Sequence, residues 1–191
     1  MSSILKVDQL QDSGGNEIIT SNGSGTITVN NQTFKNGITE ADMFRLTADI
    51  TATNADITSN LERVDDASFG KIGTGMSESS GIFTFPSTGL YQVTAEGTFN
   101  AAGTEEVSMN IIIKVTQNNS SYDIVAEIQN GARTTNSVFQ SGIKSCFVNV
   151  TDTSNVKVKF TTDSLSSGSR VKGDTDVNKT AFVFIRLGDS V

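Results

Sequence analysis

The 191-residue chain contains no histidine and no tryptophan, a single cysteine and a single proline. Without histidine there is no imidazole to act as general base, which excludes Ser-His-Asp and Cys-His nucleophilic catalysis. The same absence, with only one thiol, removes the ligand sets of ordinary zinc sites. Cys146 has no partner for an internal disulfide. It lies in the apolar run from Ile143 to Val150 with only Lys144 as a close basic neighbour, and reads as a small core residue. Positive charge is also short: 14 Lys and Arg against 21 Asp and Glu give a formal charge of -7 with no basic cluster. Nucleic acid and anionic membrane surfaces are therefore not expected partners. No segment approaches the length needed to cross a bilayer, and MSSILKVDQLQ lacks a charged leader followed by a long apolar run. The expectation is a protein made in a cytosol, and kept there or assembled there into something released by lysis. The Asn-x-Ser/Thr triplets at Asn31, Asn118, Asn149 and Asn178 read as chance in a chain so rich in these residues.

What the chain has in quantity is Thr, Ser, Val, Ile, Asn and Gly, with 11 Phe. That usage belongs to strands joined by polar turns, so the fold class expected is all-β. In GIFTFP, Ile82 and Thr84 point one way and Phe83 and Phe85 the other. Pro86 stops that ladder, and Pro86 to Gly89 form a turn before the alternation resumes in LYQVTAEGTF. Downstream, VSMNIIIKVTQ places Val107, Met109, Ile111, Ile113 and Val115 on one face. NNSS at 118 to 121 marks a hairpin, and SVFQSGIKSCFVNVT aligns Phe139, Ile143 and Phe147 with Ser141 and Ser145 between them. SNVKVKFTTD follows, and the final run, TAFVFIRLG, is apolar on both faces. Near Thr39 to Asp42 a Thr before acidic residues suggests a helix start or turn, with FRLTADI as a first strand. The total is about eight to ten antiparallel strands, the number of a double-sheet sandwich or jelly roll.

Residues 1 to about 35 differ, with ILKVDQL, DSGGNEI and SNGSGTITVNN suggesting small β elements around glycine turns. Such a segment has too little apolar surface to fold alone. Residues 36 to 60 read as a connector with the first strand, and 61 to 191 as the main part of the domain, which overall runs from about 44 to 191.

The arrangement of Phe83 or Phe85, Pro86, Gly89 and Tyr91 resembles the signature region of C1q-like and tumour-necrosis-factor-like jelly rolls. LERVDDASFGKIGTGMSESSGIFTFPSTGLY is similar to the version found in virion fibre proteins of marine bacteriophages, and the opening S-I-L-K-V-D resembles the N-terminal segment of such proteins. The resemblance implies a homotrimeric, non-enzymatic fibre or knob located in the virion. It implies attachment to other virion proteins through Ile4, Leu5, Val7, Leu10, Ile18 and Ile19. Phe83, Phe85, Tyr91, Phe182, Phe184 and Ile185 are the candidates for core or trimer packing. Contact with a host glycan or protein falls to loops, with Asn118, Asn119, Arg133, Asn136, Arg170 and Lys172 as candidates. The alternatives are a capsid or tail decoration protein whose loops only join strands, and a glycan depolymerase.

Three clusters bear on chemistry. Gly70 to Gly75 has the look of a phosphate loop, but no Lys-Ser/Thr pair follows, so it reads as a turn. Glu62, Asp65 and Asp66 are the carboxylates a depolymerase would use; with Arg63 among them, an exposed charge network is the competing reading. Asp174, Asp176 and Asn178 alternate with the spacing of calcium ligands, and no other cofactor is expected. The EF-hand glycine is missing and Ile185 stands where the twelfth-position glutamate belongs. A solvated acidic turn is the other reading.

Overall fold

The computed structural model describes residues 9–25, 27–29, 37–103, 105–133 and 136–191, which divide into two compact units, Met1–Gly37 and Ile38–Val191. The first unit is a three-stranded antiparallel sheet of β1 (Gln9–Gln11), β2 (Glu17–Ser21) and β3 (Ile27–Val29). Its β1–β2 turn is held by Asp12 Oδ1, which accepts from the amides of Gly14 at 2.8 Å and Asn16 at 2.9 Å. Of the proposed attachment residues, Leu10 is exposed and Ile18 and Ile19 are half-buried on β2. Ile4, Leu5 and Val7 lie outside the described residues.

In the second unit the two-residue period of the sequence becomes two facing sheets. One sheet has the order β11 (Asp123–Ala132), β10 (Glu106–Thr116), β13 (Lys157–Asp163), β8 (Ile82–Thr84), β7 (Ser77–Ser79). The other is built around β9 (Gly89–Ala101), which β12 (Val138–Val150) pairs along its whole length. On the other side of β9 lie β15 (Ala181–Gly188) and β14 (Ser169–Val171). Beyond β15 come β4 (Ala41–Leu46) and β6 (Leu61–Arg63), and beyond β14 lies β5 (Ile50–Thr51). All pairings are antiparallel, and no helix occurs among the described residues. β12 is therefore an edge strand, thirteen residues long.

The core forms where the inward sets of the two sheets interdigitate. Phe83 is fully buried at its centre, with ring centroids 5.1 Å from Phe44, 5.6 Å from Phe160 and 5.1 Å from Phe184. Phe160 and Phe182 stack at 3.9 Å, and Phe85 lies 4.7 Å from Tyr91. The Tyr91 hydroxyl is satisfied by Ser87, donating to its carbonyl at 3.1 Å and lying 2.9 Å from its hydroxyl. Phe83, Phe85, Tyr91, Phe182 and Phe184 thus belong to the interior of one chain. Ile185 is on the opposite, half-exposed face of β15. The β7–β8 hairpin turns on Ser80 (φ 52°) and Gly81 (φ 82°), both left-handed as a tight primed turn requires. A side chain at Gly81 would collide with the carbonyl of Ile57.

Four sequence readings are corrected. Of the helix start or turn read at Thr39 to Asp42 the helix is absent: a bend at Thr39 leads into β4, which begins at Ala41 and is claimed by β15 on one side, with Phe44 and Leu46 feeding the core. Val107 is not in the inward set but 94% exposed, because the register slips between Glu106 and Met109 and a slip of one residue reverses which face a side chain takes. The second unit has twelve strands rather than about eight to ten, the excess being two- and three-residue pieces such as β5, β6, β7 and β14 that carry no legible period. Arg170 stands in β14, paired with both β9 and β5, rather than in a loop.

Candidate functional site

The outer face of the β9–β12–β15 sheet exposes an apolar ladder. Phe139, Ile143 and Phe147, alternating along β12, are 64%, 61% and 70% exposed. Their cross-strand neighbours on β9 are Asn100, Glu96 and Gln92, and Val183 and Ile185 of β15 continue the face half-buried. The residues between the apolar rungs tie the sheet together: Ser145 and Thr94 hydroxyls lie 2.7 Å apart, and Ser141 and Thr98 3.2 Å. Toward one end, a shallow cavity of about 440 Å³ is lined by Glu96, Thr98, Ser141, Ile143 and Lys179. Large apolar side chains aligned on one rigid face are unusual on a surface that water alone covers. The neighbouring edge of the second sheet adds exposed Ile124 and Val125 of β11.

With that geometry the fold can be placed among known ones. No family model matches the chain, and no curated protein matches it. Solved structures do: murine APRIL, at TM-score 0.55 and 9% identity over 78% of this chain and 98% of that one, and the Eiger TNF of S. frugiperda, at TM-score 0.56 and 9% identity over 79% and 94%. The fold is a TNF-like jelly roll. At such low identity the likeness concerns the fold alone.

The two ends of this jelly roll are chemically different. Ile185 pairs with Ala41, Gly188 with Leu90, and Val191 donates its amide to Asn149, so the chain enters and leaves the unit at one end. The turn from Asn118 to Ser121 is at that same end, since the amide of Asn119 donates to Asn155 at 2.9 Å. Asn118 Oδ1 accepts from Ser120 and Ser121, both at 3.0 Å, which accounts for these asparagines as turn residues. Arg133, Asn136, Arg170 and Lys172 belong to the opposite end, beside Ala101 and Val138 and the 164–180 segment. Lys172 there forms an ion pair with Asp49.

The acidic clusters are committed to the protein's own cations. Glu62, Asp65 and Asp66 do not face one another across a cleft. They converge on the buried guanidinium of Arg45, at 2.6, 2.5 and 2.8 Å. Arg63 instead pairs with buried Asp42 at 3.0 Å. The Gly70 to Gly75 turn is filled the same way, with Glu40 accepting the Gly75 amide at 3.0 Å and Asp42 the Met76 amide at 2.7 Å. Asp174 binds Lys179 at 2.5 Å, which holds its carboxyl down at about 2 with help from the amide of Asp176. Sequence reading missed Arg45 and Asp42, because nothing local distinguishes them from surface charges; they stand one strand away from their partners. Among the described residues no group of three metal-ligating side chains is assembled. Cys146 is half-buried against the core, and burial raises its thiol pKa.

Two carboxylates set an acid limit on the far end. Burial pushes Asp49 up, but hydrogen bonds from Lys172 and the Gly173 amide outweigh it and hold the carboxyl below its ordinary value. Burial pushes Asp56 up as well, and hydrogen bonds from Lys159 and Thr161 bring it down. Depressed folded-state values mean that this stability is fully present above the ordinary carboxylate value near 4 and lost as pH falls below it. The melting temperature is expected to be flat from pH 7 to 5 and to fall below pH 4. The double variant Asp49→Asn, Asp56→Asn should melt lower at pH 7 and lose part of that acid slope, the rest staying with groups such as Asp174. An unchanged slope by calorimetry would refute the assignment.

Proposed function

We propose that the chain is a non-enzymatic structural subunit of a virion, a homotrimeric fibre or knob. It is held to the particle through the N-terminal segment and meets the host surface with the end of the 38–191 unit opposite the one at which the chain enters and leaves that unit. The exposed ladder of Phe139, Ile143 and Phe147 carries this reading. A solvent-facing sheet with these three side chains on an edge strand gains by being covered, and a second and third copy of the same chain are the partners always at hand. Obligate interfaces of this kind bury on the order of 2,000 Å² or more. The virion setting is supported by the sequence resemblance in residues 3 to 19 and 61 to 91. The end that faces away holds the 47–60 and 164–180 segments with Arg133 and Asn136, where insertions and contacts are tolerated without disturbing the sheets.

A depolymerase reading has little to stand on, because Glu62, Asp65 and Asp66 are occupied by Arg45. The decisive experiment is the solution mass by light scattering at neutral pH. Three times the chain mass of 20.2 kDa is expected. A stable monomer, or a dimer, would refute the trimeric knob. The same protein, fluorescently labelled, should bind host cells; absence of binding by an intact trimer would leave a decoration role without a receptor.

A further inference from the structure

At the far end, the segment from Asp49 to Asn60 folds over the rim of β13 and encloses a polar cavity of about 220 Å³ with Thr162. Its walls are pinned. The Ile57 amide donates to Phe160 at 2.8 Å, the Thr162 amide to Ala55 at 3.0 Å and the Thr162 hydroxyl to Thr53 at 2.7 Å. Asn54 exchanges hydrogen bonds with Leu165, giving at 3.2 Å and taking at 2.7 Å. Inside this fixed frame, the hydroxyls of Thr58 and Ser59 and the side-chain amide of Asn60 are exposed and have no hydrogen-bond partner among the described residues. Asn60 is held at φ 59°, which sets the direction in which its side chain leaves the backbone.

The charges of the cavity are compensated within the chain. Asp49 is paired with Lys172, and Asp56 is bound by Lys159 at 2.7 Å, Thr161 at 2.6 Å and Lys114 at 3.6 Å. A free anion would meet the carboxylates, and a free cation would have to displace lysines. What remains on offer is a rigid set of neutral donors and acceptors beside carboxylate lone pairs, which suits a ligand carrying many hydroxyl groups and no net charge. The volume is below that of a drug-sized cleft and admits one ring rather than a chain.

We propose that the Asp49 to Asn60 cavity is a binding site for a single neutral sugar residue, with Thr58, Ser59 and Asn60 as its hydrogen-bonding side chains. It supplies a ligand class for the outward end and so rests on the reading given above. No aromatic ring lines the cavity, so one sugar ring is held no tighter than about a millimolar. Useful adhesion then comes from several copies engaging one surface together.

The test is a titration of the ¹⁵N-labelled full chain with glucose, galactose, mannose and N-acetylglucosamine in turn, with calcium and inorganic phosphate as charged probes. At least one sugar is expected to shift the amides of residues 53–60 and 162 saturably and to leave the Phe139 to Phe147 ladder unmoved. Ser59→Trp, which fills the cavity, should weaken that binding at least tenfold. Asn60→Gly, which keeps the left-handed backbone while removing the amide, should weaken it several-fold even if the Trp variant folds poorly. The proposal is overturned if none of the four sugars shifts these amides, if both variants bind like the parent, or if calcium or phosphate shifts them at lower concentration. A monomeric parent that still binds sugar would sink the knob and keep the site; a trimer that binds none would do the reverse.

Discussion

Phe147→Asp is expected to convert the proposed trimer into a folded 20.2 kDa monomer. Phe147 is 70% exposed and fills no core position, so the change leaves the chain's own interior intact. In the assembly the arithmetic reverses. Covering a side chain as exposed as Phe139, Ile143 or Phe147 is worth about 1–2 kcal/mol each, and three copies repeat it. An unpaired carboxylate enclosed in that contact costs several kcal/mol per copy. Ile143→Asp should act in the same direction, while Phe139→Ser should weaken assembly without abolishing it. Light scattering and circular dichroism on the same samples make the comparison. A variant that stays assembled, or one that unfolds instead of dissociating, refutes the ladder as the self-association surface.

Phe83→Ala is expected to lower the unfolding free energy by about 3–5 kcal/mol, a large share of the roughly 5–15 kcal/mol that holds a domain folded. Phe83 has no exposed surface and sits among Phe44, Phe160, Phe182 and Phe184, contributed by strands of both sheets. Its removal opens a void that four rigid rings cannot refill, and it strips edge-to-face contacts as well as buried area. Phe83→Leu should cost less, since it keeps most of the volume. Urea titrations of the two variants give the ordering; a cost under about 1 kcal/mol for the alanine would show that the cluster repacks freely. By contrast, Ile82→Ala, one position away on the opposite face, should change stability by no more than about 1 kcal/mol.

These two cases show what the sequence made legible. The alternation around Phe83 and Phe85, interrupted by the one proline, placed a strand, its inward face and the turn after it without further help. The alignment of Phe139, Ile143 and Phe147 was equally visible. What periodicity cannot say is whether an apolar face looks inward or outward, and here it looks outward because the alternate set of β12, Val138, Cys146, Val148 and Val150, packs on the core. Val107 was misread because a bulge is a property of the pairing partner as much as of the strand. The Arg45 cluster was illegible for a related reason: Arg45 meets Glu62 only through the pairing of β4 with β6. Short strands such as β5 and β14 exist only because longer neighbours offer them an edge. The Asp49 to Asn60 cavity depends on contacts across more than a hundred residues, from Asn54 to Leu165, and no local pattern announces it.

The pairing of β4 with β15 joins residues 41–45 to residues 181–185. During synthesis the first strand of the jelly roll therefore waits for the last. Until Ala181 to Ile185 have left the ribosome, β9 lacks its longest neighbour on that side and Phe182 and Phe184 are missing from the aromatic cluster. The nascent domain therefore has to be kept from other chains until residues 181–185 have emerged and closed the pairing with β4 and β9.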